Sequence, residues 1–163
     1  MIMQILTKTP IWVWPLLIGL VALGLRASKE RWMPAVMIYF MPLLGLLSIN
    51  NMVALPNQIL VWSVFAGFYI VGALAGLRWQ AKWTLGKEGG RVQVAGEWLT
   101  MITILVVFLT SFLNGLFVAI APDLVAVPAV YLGLTLIKGT ISGIFIGRAL
   151  FIWRFMNVDP KIA

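Results

Sequence analysis

Five long apolar runs divide the chain, at Ile11 to Leu25, Met33 to Val53, Ile59 to Leu77, Trp98 to Ile120 and Val125 to Ile152. A bilayer core of about 30 Å takes roughly 20 helical residues. The pattern therefore predicts an all-α membrane protein, a five-helix transmembrane bundle that forms a single integral membrane domain over residues 1–163. The first run is short enough for a signal-peptide core, but only Lys8 precedes it while Arg26, Lys29 and Arg31 follow. A signal peptide carries its charge in the opposite order, so a retained helix with its N-terminus outside is expected.

The polar segments between the runs alternate in charge, which gives the bundle a direction. Arg26, Lys29 and Arg31 follow the first run, Arg78, Lys82, Lys87 and Arg91 follow the third, and Arg148, Arg154 and Lys161 end the chain, whereas Ala54 to Gln58 and Ala121 to Leu124 hold no Lys or Arg. Basic loops resist translocation. Five spans with the N-terminus outside and the C-terminus in the cytoplasm put all but Lys8 and Lys138 on the cytoplasmic side. Tryptophan favours the interface, so Trp12 and Trp14 are expected at the outer surface and Trp32, Trp79, Trp83, Trp98 and Trp153 at the inner one. Pro42 is expected to kink the second helix.

Composition agrees with hydrocarbon as the solvent: 62% of residues are hydrophobic and 10% charged, against about 45 to 50% and about 25% in soluble domains. The net charge of +7 is read as topology and contact with anionic head groups rather than as nucleic-acid binding. Cysteine and histidine are absent, which excludes disulfides, thiol redox work, the usual zinc sites and histidine-ligated haem. No cofactor or metal is expected. Expected partners are the lipid bilayer, its anionic head groups, and a second copy or another membrane protein.

Residues 79–96 have a hairpin pattern, with Trp83 and Leu85 alternating with Lys82 and Thr84, then Gly86, Gly89 and Gly90, then Val92 and Val94 alternating with Arg91 and Gln93. A short cytoplasmic β-hairpin docked on the helix ends is predicted, since a free one is marginal in water. Glu97 would open the fourth helix, where a carboxylate suits the macrodipole.

Gly139, Gly143 and Gly147 repeat at four-residue spacing, a glycine zipper, and Gly72 and Gly76 share that spacing in the third run. Glycine faces let helices pack closely where lipid gives no hydrophobic drive. A parallel pairing of the third and fifth helices is preferred, with a homodimer through the same glycines as the alternative. Lys138 lies near the middle of the fifth run. An ammonium there costs roughly 2.5 to 3.5 kcal/mol, so it should face a polar cavity. Thr103, Thr110 and Asn114 share a face of the fourth helix and are expected to meet it, with Tyr39, Asn50, Asn51 and Ser63 enlarging the lining. No carboxylate occurs within any run to pair with it.

The stretches Val92-Gln93-Val94-Ala95-Gly96-Glu97-Trp98-Leu99 and Ser142-Gly143-Ile144-Phe145-Ile146-Gly147-Arg148-Ala149-Leu150 resemble small bacterial inner-membrane proteins loosely grouped with CcdC-like proteins. The resemblance covers most of the chain. It implies a multi-pass protein of the bacterial inner membrane and carries no established activity. Where that group has a proline after the motif tryptophan and a lysine in the fourth span, this chain has Thr100 and Ser111. Either Lys138 substitutes for that lysine or the pocket differs. Plentiful packing signal beside sparse reactive chemistry favours a non-enzymatic assembly or accessory component. The alternatives are a small carrier or lipid-binding protein with an anion cavity at Lys138, and a membrane enzyme acting on a lipid.

Overall fold

A computed structural model describes residues 13–27, 29–50, 52–53, 55–96 and 98–157. The chain is mostly helical, in the order α1 (Val13–Ala27), β1 (Arg31–Pro34), α2 (Ala35–Asn50), α3 (Gln58–Trp83), β2 (Thr84–Glu88), β3 (Arg91–Val94), α4 (Trp98–Ile120), α5 (Pro122–Val125) and α6 (Pro128–Asn157). Among the described residues, three helices are long and apolar enough to cross a membrane: α3, α4 over Thr100–Ala119, and α6 over Pro128–Phe155.

Several expected boundaries move. The described parts of α1 and α2 cover 15 and 16 residues, and residues 11–12 before α1 and 51 after α2 lie outside the described residues. The second helix begins at Ala35 because Met33 and Pro34 belong to a strand. The third continues past Leu77 to Trp83, so residues 79–83 are helical and the hairpin starts only at Thr84. At the last run, Val125 closes the separate helix α5. Helix α6 opens at Pro128, whose fixed φ suits a first helical position. Lys8, Trp12, Asn51, Glu97, Asp159 and Lys161 lie outside the described residues.

The expected hairpin is present within a mostly helical chain, and a further strand extends it to a three-stranded antiparallel sheet of order β1-β3-β2. Strands β2 and β3 form the hairpin, and its turn needs Gly89 and Gly90 because both have positive φ, 50° and 80°. Strand β1 is the element that sequence reasoning missed. It pairs with the other edge of β3 in the register Arg31 to Val94 and Met33 to Val92, and Pro34 is tolerated there because β1 is an edge. Met33, Val92 and Val94 turn inward and join Ala35, Ile38 and Ile152 in one buried cluster flanked by Trp83 and Phe151. The sheet is thereby docked on the start of α2 and the end of α6.

Lys87 fixes the hairpin to α6. Its ammonium donates to the Phe155 carbonyl at 2.9 Å and lies 5.6 Å from the centre of the Phe155 ring. A cation at a helix C-terminus satisfies carbonyls that have no helical donor and complements the macrodipole. Lys87→Met should lower stability by about 0.5 to 1 kcal/mol. Chemical unfolding in detergent measures it, and an unchanged midpoint would show that this contact holds nothing.

Helix α6 is the hub. Its contact with α3 is the largest between helices, followed by that with α2, while α1 packs chiefly on α4. Neighbouring residue numbers rise together along α3 and α6, from Phe65 beside Gly139 to Ala73 beside Gly147, so these two helices run parallel. Gly45 meets Ser142, and Ile38 shares a cluster with Ile152, so α2 runs antiparallel to α6. Thr100 bonds Arg148 while Thr110 shares a cavity with Lys138, so α4 is also antiparallel to α6.

Candidate functional site

Lys138 sits in the middle section of α6 and is only 8% exposed. It lines a cavity of about 10 Å³ together with Gly45 of α2, Val107, Thr110 and Ser111 of α4, and Ser142 and Phe145 of α6. That volume suits one water-sized species. Among the described residues, Lys138 makes no hydrogen bond or ion pair, and neither do the hydroxyls of Thr110, Ser111 and Ser142. Other hydroxyls on these helices behave differently. Thr103 donates to the Thr100 carbonyl, Thr135 to that of Tyr131 and Thr140 to that of Leu136. Buried polar groups are nearly always paired, so the buried Lys138, Thr110 and Ser142, unpaired around one small space whose lining also includes the exposed Ser111, mark it out.

Of the expected lining, the structure brings Thr110 to Lys138. Thr103 is buried further along α4, and Asn114 and Tyr39 are not among the lining residues, Tyr39 being 38% exposed. Ser63 is exposed and bonds to the Ile59 carbonyl, and the side chain of Asn50 lies outside the description. Ser111 and Ser142 complete the polar lining instead.

The glycines lie on the seam between α3 and α6. A side chain at Gly72 would meet the Thr140 carbonyl, and at Gly76 the Ile144 carbonyl. Side chains at Gly139, Gly143 and Gly147 would meet the carbonyls of Phe65, Tyr69 and Ala73. All five glycines are buried within the chain. An apolar groove of about 330 Å³ lies between α2, α3 and α6, with Pro42, Phe65 and Tyr69 in its walls, and shares Gly45 and Ser142 with the Lys138 cavity.

Sequence reasoning missed a second polar centre. Arg148, counted above as a topology residue, is 1% exposed. Its Nε donates to Gln80 Oε1 at 2.8 Å and its guanidinium to Thr100 Oγ1 at 3.0 Å. Gln80, wholly buried, passes its amide N–H to Thr84 Oγ1 at 3.0 Å, and the Thr84 hydroxyl donates back to the Gln80 carbonyl at 2.8 Å. One guanidinium thus ties α3, α4 and α6 together beside the sheet. The signal was present in the spacing. Gly72, Gly76, Gln80 and Thr84 continue one four-residue register, so the face that meets α6 does not stop at the glycines.

Among the described residues, the buried polar side chains are Lys138, Arg148, Gln80 and the hydroxyls of Thr100, Thr103, Thr110, Thr135 and Ser142. Glu30, Glu88 and Asp123 are exposed, and no group of three or more acidic side chains that could hold a metal exists among the described residues. Comparison with protein families, with curated proteins and with solved structures finds no match to this chain.

Proposed function

We propose that this is a non-enzymatic, multi-pass membrane protein that binds an anion in the middle of its bundle, with the sheet end in the cytoplasm. The observation that carries the reading is Lys138, buried without a partner among the described residues and faced by three unpaired hydroxyls. A lone ammonium in hydrocarbon is costly, and an anion offsets that cost directly. Direction follows from charge. The segments that meet at the sheet end hold Arg26, Lys29, Arg31, Arg78, Lys82, Lys87, Arg91 and Arg154, whereas the connections at the opposite end, 52–57 and 121–127, hold no Lys or Arg. Exposed Trp32, Trp79 and Trp153 at the sheet end fit an interfacial belt there. The resemblance described above adds a bacterial inner membrane as the setting.

Assembly through the glycine faces receives less support, because those faces are already covered inside one chain. A small carrier or binding protein fits the site better. The test is a thermal-stability panel in detergent, with chloride, acetate, phosphate and anionic phospholipid at fixed ionic strength. Excluded salts stabilise any protein, so the informative quantity is the difference between wild type and Lys138→Met. At least one anion should raise the wild-type midpoint by several degrees more than the variant's. Equal responses throughout would sink the reading.

A further inference from the structure

We propose that the anion is monatomic, of the halide class, and that Lys138 Nζ holds it together with the hydroxyls of Thr110, Ser111 and Ser142. This rests on the anion-binding reading above and goes on to name the ligand. Three observations carry it. The first is size: the space beside Lys138 is about 10 Å³, room for one heavy atom, so a carboxylate or phosphate would have to extend out of it toward the groove that shares Gly45 and Ser142. The second is the donor set. Lys138 offers three N–H donors and no acceptor, each hydroxyl can donate, and no carboxylate lines the cavity. Helices α4 and α6 are continuous through these positions, so their backbone carbonyls are engaged in the helices and are not offered to a cation.

The third is the contrast among hydroxyls. Thr103, Thr135 and Thr140 each bond to a carbonyl of their own helix. Thr110, Ser111 and Ser142 do not, nor do they bond any other described residue. A single water would satisfy some of these donors but would leave the ammonium charge unmatched. A halide accepts from all four groups and matches the charge. Gly45 completes the fit, because even a Cβ there would lie 3.0 Å from Ser142 Oγ, so α2 roofs the cavity without filling it.

The experiment uses the purified full chain, dialysed into gluconate buffer and titrated with chloride and then bromide at constant ionic strength. Excess broadening of the chloride NMR line and the thermal midpoint are the readouts. Wild type should show saturable broadening that bromide competes away, Lys138→Met should lose it, and Ser142→Ala and Thr110→Val should each weaken binding about tenfold or more. A Lys138-dependent response to acetate, phosphate or lipid with none to halide would overturn the halide assignment while leaving the anion-binding reading standing. No Lys138-dependent response to any anion would overturn both. Halide binding of equal strength in Lys138→Met would place the ion elsewhere and overturn this site.

Discussion

Replacing Arg148 with methionine should destabilise the fold by about 3 to 5 kcal/mol, because the charged hydrogen bonds to Gln80 and Thr100 vanish while both residues stay buried. Gln80 Oε1 would lose its Arg148 donor where the residue is 0% exposed, and Thr100, 4% exposed, would lose its bond to the guanidinium. Arg148→Lys should recover only part of this loss, as a point ammonium cannot reproduce the guanidinium's two directed bonds. The measurement is unfolding in mixed detergent micelles. In a double-mutant cycle, Gln80→Leu should cost less in the Arg148→Met background than alone, with a coupling of about 1 kcal/mol or more. A single-variant loss below about 1 kcal/mol would mean that the network is ornamental.

The second large effect is expected for Gly143→Leu. A Cβ at Gly143 would fall against the Tyr69 carbonyl oxygen and within 2.8 Å of the Ala73 nitrogen, both backbone atoms of α3. Side chains can move aside but a helix backbone cannot. The cost should reach the upper end of the overpacking range, about 3 kcal/mol or more. Gly133→Ala is the control, since a Cβ there meets nothing within 4 Å and alanine favours the helix by about 0.5 to 1 kcal/mol. Lower folded yield and midpoint for Gly143→Leu but not for Gly133→Ala would establish the seam. A leucine tolerated at Gly143 would contradict this packing.

Local periodicity made much of this architecture legible. Four-residue glycine spacing and the double glycine of the hairpin turn are short-range signals, and the described structure has the glycines on a helix seam and the turn between two strands. Strand β1 was not legible, because Arg31–Pro34 has only four residues and owes its form to β3, about sixty positions away. Facing within α2 was equally hidden. Its segment is apolar on nearly every side, so no stripe tells Gly45 from Tyr39. Arg148 misled for a related reason. A basic residue close to the end of an apolar run reads as a topology signal, and only the arrival of Gln80 and Thr100 from other helices makes it interior.

Strand β3 bonds β1 on one side and β2 on the other. The linker between α1 and α2 and the linker between α3 and α4 are therefore sewn into a single plate, pinned in turn by Lys87 and Arg148. At the opposite end Gln58 gathers a turn through the carbonyls of Met52, Val53 and Leu55, and Met52 packs with Val61 and Phe65 of α3 and Tyr131 of α6 in a second buried cluster. Backbone pairing between strands thus joins the linkers at one end of the bundle, whereas at the other end, among the described residues, side chains do the joining.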